Sequence, residues 1–464
     1  MASAPSSDRF SSDRFSSDHF FSDRSLRPQC LPNCASLSFG FVVDKLAQHC
    51  HCFSHLFECG QRIFEVSATE LSPTNGFTSR VFRCEFEFGA FVGEKRMPTP
   101  KKRTMSAIAK VISLERMDTL GENFVGKKQM EKMRNSREQT EMIKSTLLQL
   151  HRNECNLYKF IGSSAPLPLP KVFYTQTAEE GEGVGLILME DLSKSTHLEP
   201  FENGLTIKKT ETVARHLAHF HAKMNAKNDW QQNFLDANEL FEGQQKDSGG
   251  MSEWGSTIHK QMMQFDKEKL EAPLKRMRRI FMSMDFGKWA QRKCRELGME
   301  ETLLHNDLWI NNILWHNGQR ADEVAAFIDW QLASRGNPMI DVARLLLMNT
   351  SPEVRKELEK DGRLLKQYLE VHRTEGGQNQ FDLEKLTKAY KLAMVGQTVG
   401  FVMVLPFFQR VWAEETNCEV KNAKLMERAV AALADAVEVL EEEAPEWLED
   451  AAEEPGNLAE NPGI

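Results

Sequence analysis

The 464-residue chain lacks the excess of basic residues that nucleic-acid-binding proteins commonly carry. Its formal charge at pH 7 is −9, and residues 441–464 alone hold nine acidic and no basic side chains, so the rest of the chain sums to about zero. We therefore expect no nucleic-acid partner, and we expect a solvated, partly disordered acidic tail. A long hydrophobic run is also missing. The apolar stretch 399–408 is too short and too interrupted to span a bilayer, so it predicts a core helix broken near Pro406 and no membrane span.

Cysteine is sparse and irregularly spaced. The nine cysteines are an odd number, and no apolar segment follows a basic N-terminal stretch, so we expect no signal peptide and a cytoplasmic, reducing environment. Five cysteines and three histidines do cluster within residues 30–59. The pattern Cys50-His51-Cys52 lacks the usual two-residue gap between zinc ligands, so reduced cysteines in a poorly packed segment are favoured over a zinc site.

The N-terminal residues 6–25 repeat the motif SSDRF with small variations, which predicts a disordered leader. On composition and motif position we divide the chain into four parts. These are a low-complexity, poorly defined segment (1–66), a nucleotide-binding N-lobe (67–192), a helical C-lobe with the catalytic loop (193–440) and the acidic tail (441–464).

Residues 303–330 carry polar side chains in the order and spacing that a phosphoryl-transfer site requires. His305, Asp307 and Asn312 form the pattern H-x-D-x-x-x-x-N, in which the Asp is the base and the Asn a metal ligand. Asp329 follows an apolar run that predicts a strand, and it offers a second oxygen ligand of the kind that Mg²⁺ favours. The three predicted catalytic residues are therefore Asp307, Asn312 and Asp329, of which the last two would bind the metal.

The segments 313–316 and 324–328 are predicted as two strands of a hairpin, with Asn317-Gly318 providing positive-φ positions in the turn. Such a hairpin would place Asn312 and Asp329 at its two open ends, facing one metal ion. The alternative is a buried strand pair capped by solvated Asp and Asn side chains, which leaves the ordered set of residues unexplained.

The segments HNDLWINNILW and FIDWQLASRGNPMIDVARLL resemble those of the animal CHK-kinase-like proteins, which include the ecdysteroid-kinase-like enzymes. These are similar in turn to choline kinases and aminoglycoside phosphotransferases. The resemblance covers residues 74–440 and is strongest at 303–345. It implies a bilobal α+β protein-kinase-like fold, with a small antiparallel-sheet N-lobe and a larger, mainly helical C-lobe. It also implies ATP-dependent phosphorylation of a small-molecule alcohol. One departure is Asn306, where such loops commonly carry Gly, although Asn tolerates the left-handed conformation.

An ATP-binding N-lobe should precede the loop. Lys110, in the apolar run SAIAKVI, matches the strand lysine that contacts the α- and β-phosphates, although a lone Lys in a strand is weak evidence by itself. Gly76, Thr78 and Ser79 lie between predicted strands and could cover the phosphates with backbone N–H groups. They lack the pattern G-x-G-x-x-G, and an ordinary hairpin turn is nearly as good an explanation.

The following segment, 127–160, has helical periodicity. Within it Glu154 matches the E-x-x-x-Y segment of the family and is our choice of partner for the lysine, with Glu138 and Glu141 as competitors. The predicted strand 185–189 leads into Met189, Glu190 and Leu192, which resemble the hinge that binds adenine through backbone groups.

The helical segment 210–224 contains His216, His219 and His221. Their spacing does not put all three on one helical face, which favours solvated or core histidines over a metal site. In the family, Asp341 tethers the catalytic region and Arg344 follows it, and we expect a structural role for Asp341.

Three functions compete on the sequence. The first is an ATP- and Mg²⁺-dependent kinase of a sterol-, choline- or xenobiotic-like alcohol. The second is a protein Ser/Thr kinase, which is disfavoured because Ile328-Asp329-Trp330 replaces D-F-G and no A-P-E segment follows. The third is a catalytically inactive kinase fold used for binding. The sequence identifies neither the acceptor nor the oligomeric state.

Overall fold

The chain divides into two compact units in the computed structural model, one of residues 1–112 and 171–191 and the other of residues 113–170 and 192–464. The structure describes residues 19–71, 78–92, 95–96, 103–162, 165–180, 184–227, 230–239, 260–262, 266–281, 285–377 and 382–449.

The first unit is an antiparallel sheet with two helices. Its elements are β1 (Cys30–Leu31), β2 (Cys34–Ser38), α1 (Phe39–His49), α2 (His51–Glu58), β3 (Gln61–Glu70), β4 (Ser79–Val92), β5 (Lys95–Arg96), β6 (Arg103–Ile112), β7 (Val172–Gln176) and β8 (Leu186–Glu190). The main sheet has the order β3-β4-β6-β8-β7, with β5 paired to β4, and every pair of these strands is antiparallel.

Alternation along the strands gives this sheet one apolar face. The buried side chains of β4 recur at every second position, as expected for a strand with one face in a core. Helices α1 and α2 supply the other half of the core. Phe53 of α2 stacks edge-on against Phe86 and Phe88 of β4, with ring centroids 5.3 Å apart in both pairs.

The expectation that residues 1–66 are poorly defined is wrong for residues 19–66. Phe20, within the repeat, is buried and stacks on Phe57 at 4.0 Å, and the Ser22 amide donates to the carbonyl of Ile63 at 2.8 Å. Cys50 is also buried in this core, as are Leu37 and Leu46, so the cysteine-rich segment is packed although Cys30, Cys52 and Cys59 are exposed. The low-complexity repeat drew attention away from the apolar faces of α1 and α2, on the first of which Val42, Val43 and Leu46 are buried at helical spacing. Residues 6–18 of the repeat lie outside the described residues.

The second unit is mainly helical. Its elements are α3 (Leu114–Val125), α4 (Lys127–Arg134), α5 (Arg137–Ile161), β9 (Thr196–His197), α6 (Ile207–Asn225), α7 (Lys267–Arg276), α8 (Arg278–Phe281), α9 (Asp285–Glu296), β10 (Thr302–Leu304), β11 (Ile313–His316), β12 (Val324–Phe327), β13 (Ser334–Gly336), α10 (Met339–Asn349), α11 (Pro352–Glu359), α12 (Arg363–Thr374), α13 (Leu383–Met403), α14 (Leu405–Val411) and α15 (Cys418–Glu443). Small sheets join β10 to β13, and β12 to β11 and β9. The α+β class with an antiparallel sheet and a larger helical part is confirmed.

Three boundaries differ from the sequence-based expectation. Residues 113–170, assigned to the N-lobe, belong by their contacts to the helical unit. The single helix expected over 127–160 is two helices, because Ser136 caps α5 by accepting from the Gln139 amide at 3.3 Å. The acidic tail is not wholly solvated, since Trp447 packs against Phe286 and Trp289 at 5.4 and 5.8 Å. Residues 450–464 lie outside the described residues.

The apolar run 399–408 forms parts of two helices, α13 and α14, which meet at Val404 with Pro406 in the first turn of the second. This confirms a break near that proline. Among the described residues, no single helix has both the length and the apolar composition for crossing a membrane, and only this bent pair meets the two criteria jointly.

Candidate active site

The catalytic loop begins where β10 ends at Leu304. The backbone turns there through Asn306, whose φ is 60°, a left-handed conformation that Asn adopts more readily than most residues. Asn306 therefore serves at this position in place of Gly.

Asp341, in the first turn of α10, stabilises the backbone turn at His305 and Asn306. Its two carboxylate oxygens accept the backbone N–H groups of His305 and Asn306, each at 2.8 Å. Asp341 is completely buried. Burial works to raise the pKa of Asp341, but hydrogen bonding to His221 and the nearby charges of His221 and His305 outweigh it, so that the pKa is lowered. The expected structural role of Asp341 is confirmed.

His221 of α6 completes the support of the loop. Its Nε2 lies 3.4 Å from Oδ2 of Asp341, and its Nδ1 lies 2.7 Å from the hydroxyl of Tyr368. His219 instead pairs with Glu375 on the surface of the unit, and His216 packs edge-on against Phe327. The three histidines thus have separate surroundings, and among the described residues no three His, Cys, Asp or Glu side chains are grouped so that they could hold a metal ion.

Asp307 is the candidate base. Its Oδ1 accepts from Nη2 of Arg344 at 2.8 Å, while Oδ2 makes a long contact, 3.4 Å, with the Asn312 amide nitrogen. Burial raises the pKa of the Asp307 carboxyl, the guanidinium of Arg344 opposes this, and the charge of Asp329 adds to the increase. A carboxyl with a raised pKa is better suited to accept a proton near neutral pH.

The β11–β12 hairpin carries the two candidate metal ligands, as predicted. Ile313 pairs with Phe327, and the Ile328 amide donates to the carbonyl of Asn312 at 3.0 Å, so Asn312 and Asp329 lie at the same end of the hairpin. The turn at the other end differs from the prediction: only Gly318 has positive φ, at 69°, and Asn317 is extended.

Asn312 and Asp329, the two candidate metal ligands, each have a defined local conformation. The Asn312 side chain donates from Nδ2 to the Asp307 carbonyl at 2.8 Å, which leaves its amide oxygen as the ligating atom. Asp329 has φ 63°, a left-handed conformation, directly before the buried Trp330. Hard oxygen atoms from one carboxylate and one amide suit Mg²⁺, so the donor set fits the predicted metal.

Glu154 lies near this end of the hairpin, within the same unit. It is buried, and the Tyr158 hydroxyl donates to its Oε1 at 3.5 Å. Burial raises the pKa of Tyr158, and the negative charges of Glu154 and Asp329 raise it further. Of the competitors, Glu141 is exposed, and the side chain of Glu138 lies outside the described residues.

The remaining predicted residues lie at three places on the chain. Lys110 is buried on β6, and its pairing with Ile187 of β8 puts it on the sheet face opposite to the α1–α2 core, together with Met189. Thr78 and Ser79 are buried at the start of β4. Gly76 lies outside the described residues.

Glu190 and Leu192 flank the point where the chain passes from the first unit to the second. The backbone N–H of Glu190 donates to the carbonyl of Lys171 at 2.9 Å, and its side chain accepts from the Lys171 amide at 2.6 Å. The Glu190 N–H is therefore already bonded within the first unit and is not available to an adenine base.

Sequence reasoning missed two functional contacts. It gave no role to Arg344, although a residue three positions after Asp341 shares its helix face. It also treated His221 as one of a surface or core group without finding its bond to Asp341.

A family model described as "Uncharacterized oxidoreductase dhs-27" (DUF1679) matches residues 64–444. The chain belongs to this family. A Caenorhabditis elegans protein named "Uncharacterized kinase-like protein D1044.1" is 23% identical over 282 residues, which is 58% of this chain and 70% of that protein.

The C. elegans protein "Uncharacterized oxidoreductase dhs-27" is 22% identical over 332 residues. That match takes in 70% of this chain but only 36% of the relative, so the chain spans about a third of its length. Among solved structures, Plasmodium vivax ethanolamine kinase superposes with a TM-score of 0.39 at 12% identity, covering 79% of this chain and 82% of the other.

Proposed function

We propose that this protein is an ATP- and Mg²⁺-dependent phosphotransferase that acts on the hydroxyl of a small-molecule alcohol, of sterol, choline or xenobiotic type. The observation that carries the proposal is the placement of Asp307, Asn312 and Asp329 around one end of the β11–β12 hairpin. The name of the kinase-like relative agrees with it.

Phosphoryl transfer requires in-line positioning and neutralised phosphate charge rather than covalent chemistry by the protein. Oδ2 of Asp307 would accept the hydrogen bond of the acceptor hydroxyl and take its proton late in the reaction. Asn312 and Asp329 would hold Mg²⁺, which neutralises phosphate charge when bound. Lys110 would contact the α- and β-phosphates.

The word "oxidoreductase" in the family description motivates a second candidate. A dinucleotide fold has a mainly parallel sheet with a glycine-rich turn at the first strand end. The main sheet of the first unit is antiparallel throughout its named strands. The relative of that name extends far beyond the matched stretch, so its name does not assign an activity to the part that this chain resembles. The antiparallel sheet and the site residues of this chain favour phosphoryl transfer over hydride transfer.

The test is an ATP-consumption screen over alcohols, sterols, amino alcohols and glycosides, with the Asp307→Asn protein as the blank. We expect one acceptor class to stimulate ATP consumption in the wild-type protein and not in the variant. Nucleotide binding without turnover across the screen would instead favour an inactive kinase fold. Reduction of a nicotinamide cofactor in a parallel assay would favour the second candidate.

A further inference from the structure

We propose that Arg344 is a positioning residue that fixes the carboxylate of Asp307 so that Oδ2 faces the acceptor. The inference rests on the proposed kinase function and adds a residue to it. It comes from one helix, α10, whose side chains reach the catalytic loop at several points.

Helix α10 contacts successive residues of the loop. Asp341 binds the backbone of His305 and Asn306, and Arg344 binds the side chain of Asp307. At the end of the helix, the Asn349 amide nitrogen donates to the carbonyl of Leu308 at 3.0 Å. These three helix residues therefore hold four consecutive loop residues from a single rigid element.

The contacts divide the work between backbone and side chain. Asp341 and Asn349 fix the path of the loop, but neither restrains the rotation of the Asp307 carboxylate about χ2, which is intrinsically broad. Arg344 is the residue that restrains it, through the 2.8 Å bond to Oδ1. A carboxylate held by one oxygen presents the other in a constant direction, which is the geometric need of a general base.

The surroundings of Arg344 suit this role. The side chains of Arg344 and Asp307 are 14% and 17% exposed, so the pair is largely shielded from water. Nε of Arg344 is buried without a hydrogen-bond partner among the described residues, and the guanidinium makes its polar contact with Asp307 through Nη2. An added Cβ at Gly400 of α13 would lie 3.9 Å from Nη1, an ordinary contact distance.

The charges facing Asp307 make the pairing electrostatic as well as steric. Asp329 acts on Asp307 as a like charge, whereas Arg344 and His305 act as opposite charges. Without Arg344, the negative charges of Asp307 and Asp329 would lose a neighbouring positive charge. The Asp307 carboxylate would then turn toward a remaining donor, such as the Asn312 amide nitrogen.

The experiment compares three variants with the acceptor that the screen identifies. Arg344→Met removes the charge and keeps the length, and Arg344→Lys keeps the charge but has no fork. Arg355→Met is the matched control, because Arg355 is a buried arginine of the same unit that pairs with Asp435 at 2.5 Å. Within the described part of the chain, Arg355 has no hydrogen bond or ion pair with the catalytic loop. The measurements are kcat, KM for the acceptor, and the affinity for ATP by titration calorimetry.

We expect Arg344→Met to lower kcat by roughly 10–10²-fold, the usual effect of a small misplacement of a catalytic group, with ATP affinity changed by less than about twofold. Arg344→Lys should recover part of this loss in kcat. At temperatures where the Arg355→Met protein is folded, its kcat should stay within about threefold of the wild-type value. When Asp307→Asn is already present, adding Arg344→Met should lower kcat little further, because both changes act on the same carboxylate.

A kcat of Arg344→Met equal to that of the Arg355→Met control would overturn the proposal, as would a full further loss in the Asp307→Asn background. Failure of the proposed function has a different signature, namely no acceptor-dependent ATP consumption in the wild-type protein. In that case the coupling of Asp307→Asn and Arg344→Met in thermal unfolding still shows whether the pair exists in solution. Independent effects on Tm would overturn the pairing itself.

Discussion

At the scale of single residues, the backbone conformation of Asn306 is the most specific local requirement of the site. Its φ of 60° is tolerated by Asn and Gly and strained for β-branched residues. We expect Asn306→Gly to keep both stability and turnover, whereas Asn306→Val should lose about 1–3 kcal/mol in the free energy of unfolding. Urea denaturation of the two variants measures this. Equal stability of both would mean that the turn does not need a left-handed residue.

The carboxylate of Asp341 makes the stability of the fold depend on pH. Because its pKa is lowered in the folded protein, its charge stabilises the fold above the ordinary value of 3.8, and this stabilisation is lost as the pH falls below that value. We expect Asp341→Asn to be less stable at pH 7 and to lack that part of the acid-induced loss. The exposed Asp361→Asn is the control, since Asn tolerates its positive φ. Thermal unfolding between pH 3 and 7 measures the difference, and parallel curves for wild type and Asp341→Asn would contradict the prediction.

Asp329 tests the metal site at the same scale. Its removal should take away an anionic ligand while leaving the hairpin, whose strand pairing ends at Phe327, in place. We expect Asp329→Ala to weaken ATP binding in the presence of Mg²⁺ and to change it little in EDTA. Titration calorimetry under both conditions decides this. Unchanged affinity with Mg²⁺ would exclude Asp329 as a metal ligand.

At the scale of elements, α2 gives the first unit a core that the sequence did not suggest. Phe53 is buried against Phe86 and Phe88. We expect Phe53→Ala to destabilise this unit by about 3–5 kcal/mol, because a large aromatic side chain leaves a cavity when it is truncated. Cys52→Ala, an exposed position on the same helix, should have almost no effect. If both variants unfold at the same urea concentration as the wild-type protein, residues 19–66 are not part of the fold.

The elements also show what the sequence could predict. The β11–β12 hairpin followed from two short strand-like runs separated by Asn-Gly, because both signals are local, although only Gly318 of that pair adopts a positive φ. The break at Ser136 and the packing of α1 and α2 did not follow. A cap competes with continuous helical periodicity, and a Phe-rich segment with few charges does not reveal which sheet it covers.

At the scale of the whole molecule, residues far apart in sequence build the support of the loop. The roles of Asp307, Asn312 and Asp329 could be predicted from residues 303–330, because their spacing is a property of one continuous segment. The bonds from His221 and Arg344 arise only when α6, α10 and the loop come together, so a single sequence could not supply them. The division of the chain at Ile112 and Pro170 is likewise a property of contacts rather than of composition.

The central claim is that Asp307 acts as the base of a phosphoryl transfer to a hydroxyl. The most direct measurement compares wild type with Asp307→Asn in acceptor-dependent ATP consumption and in ATP binding. We predict that the variant binds ATP as the wild-type protein does and turns over roughly 10²–10⁴-fold more slowly, the usual contribution of a general base. Equal turnover in the two proteins would contradict the claim.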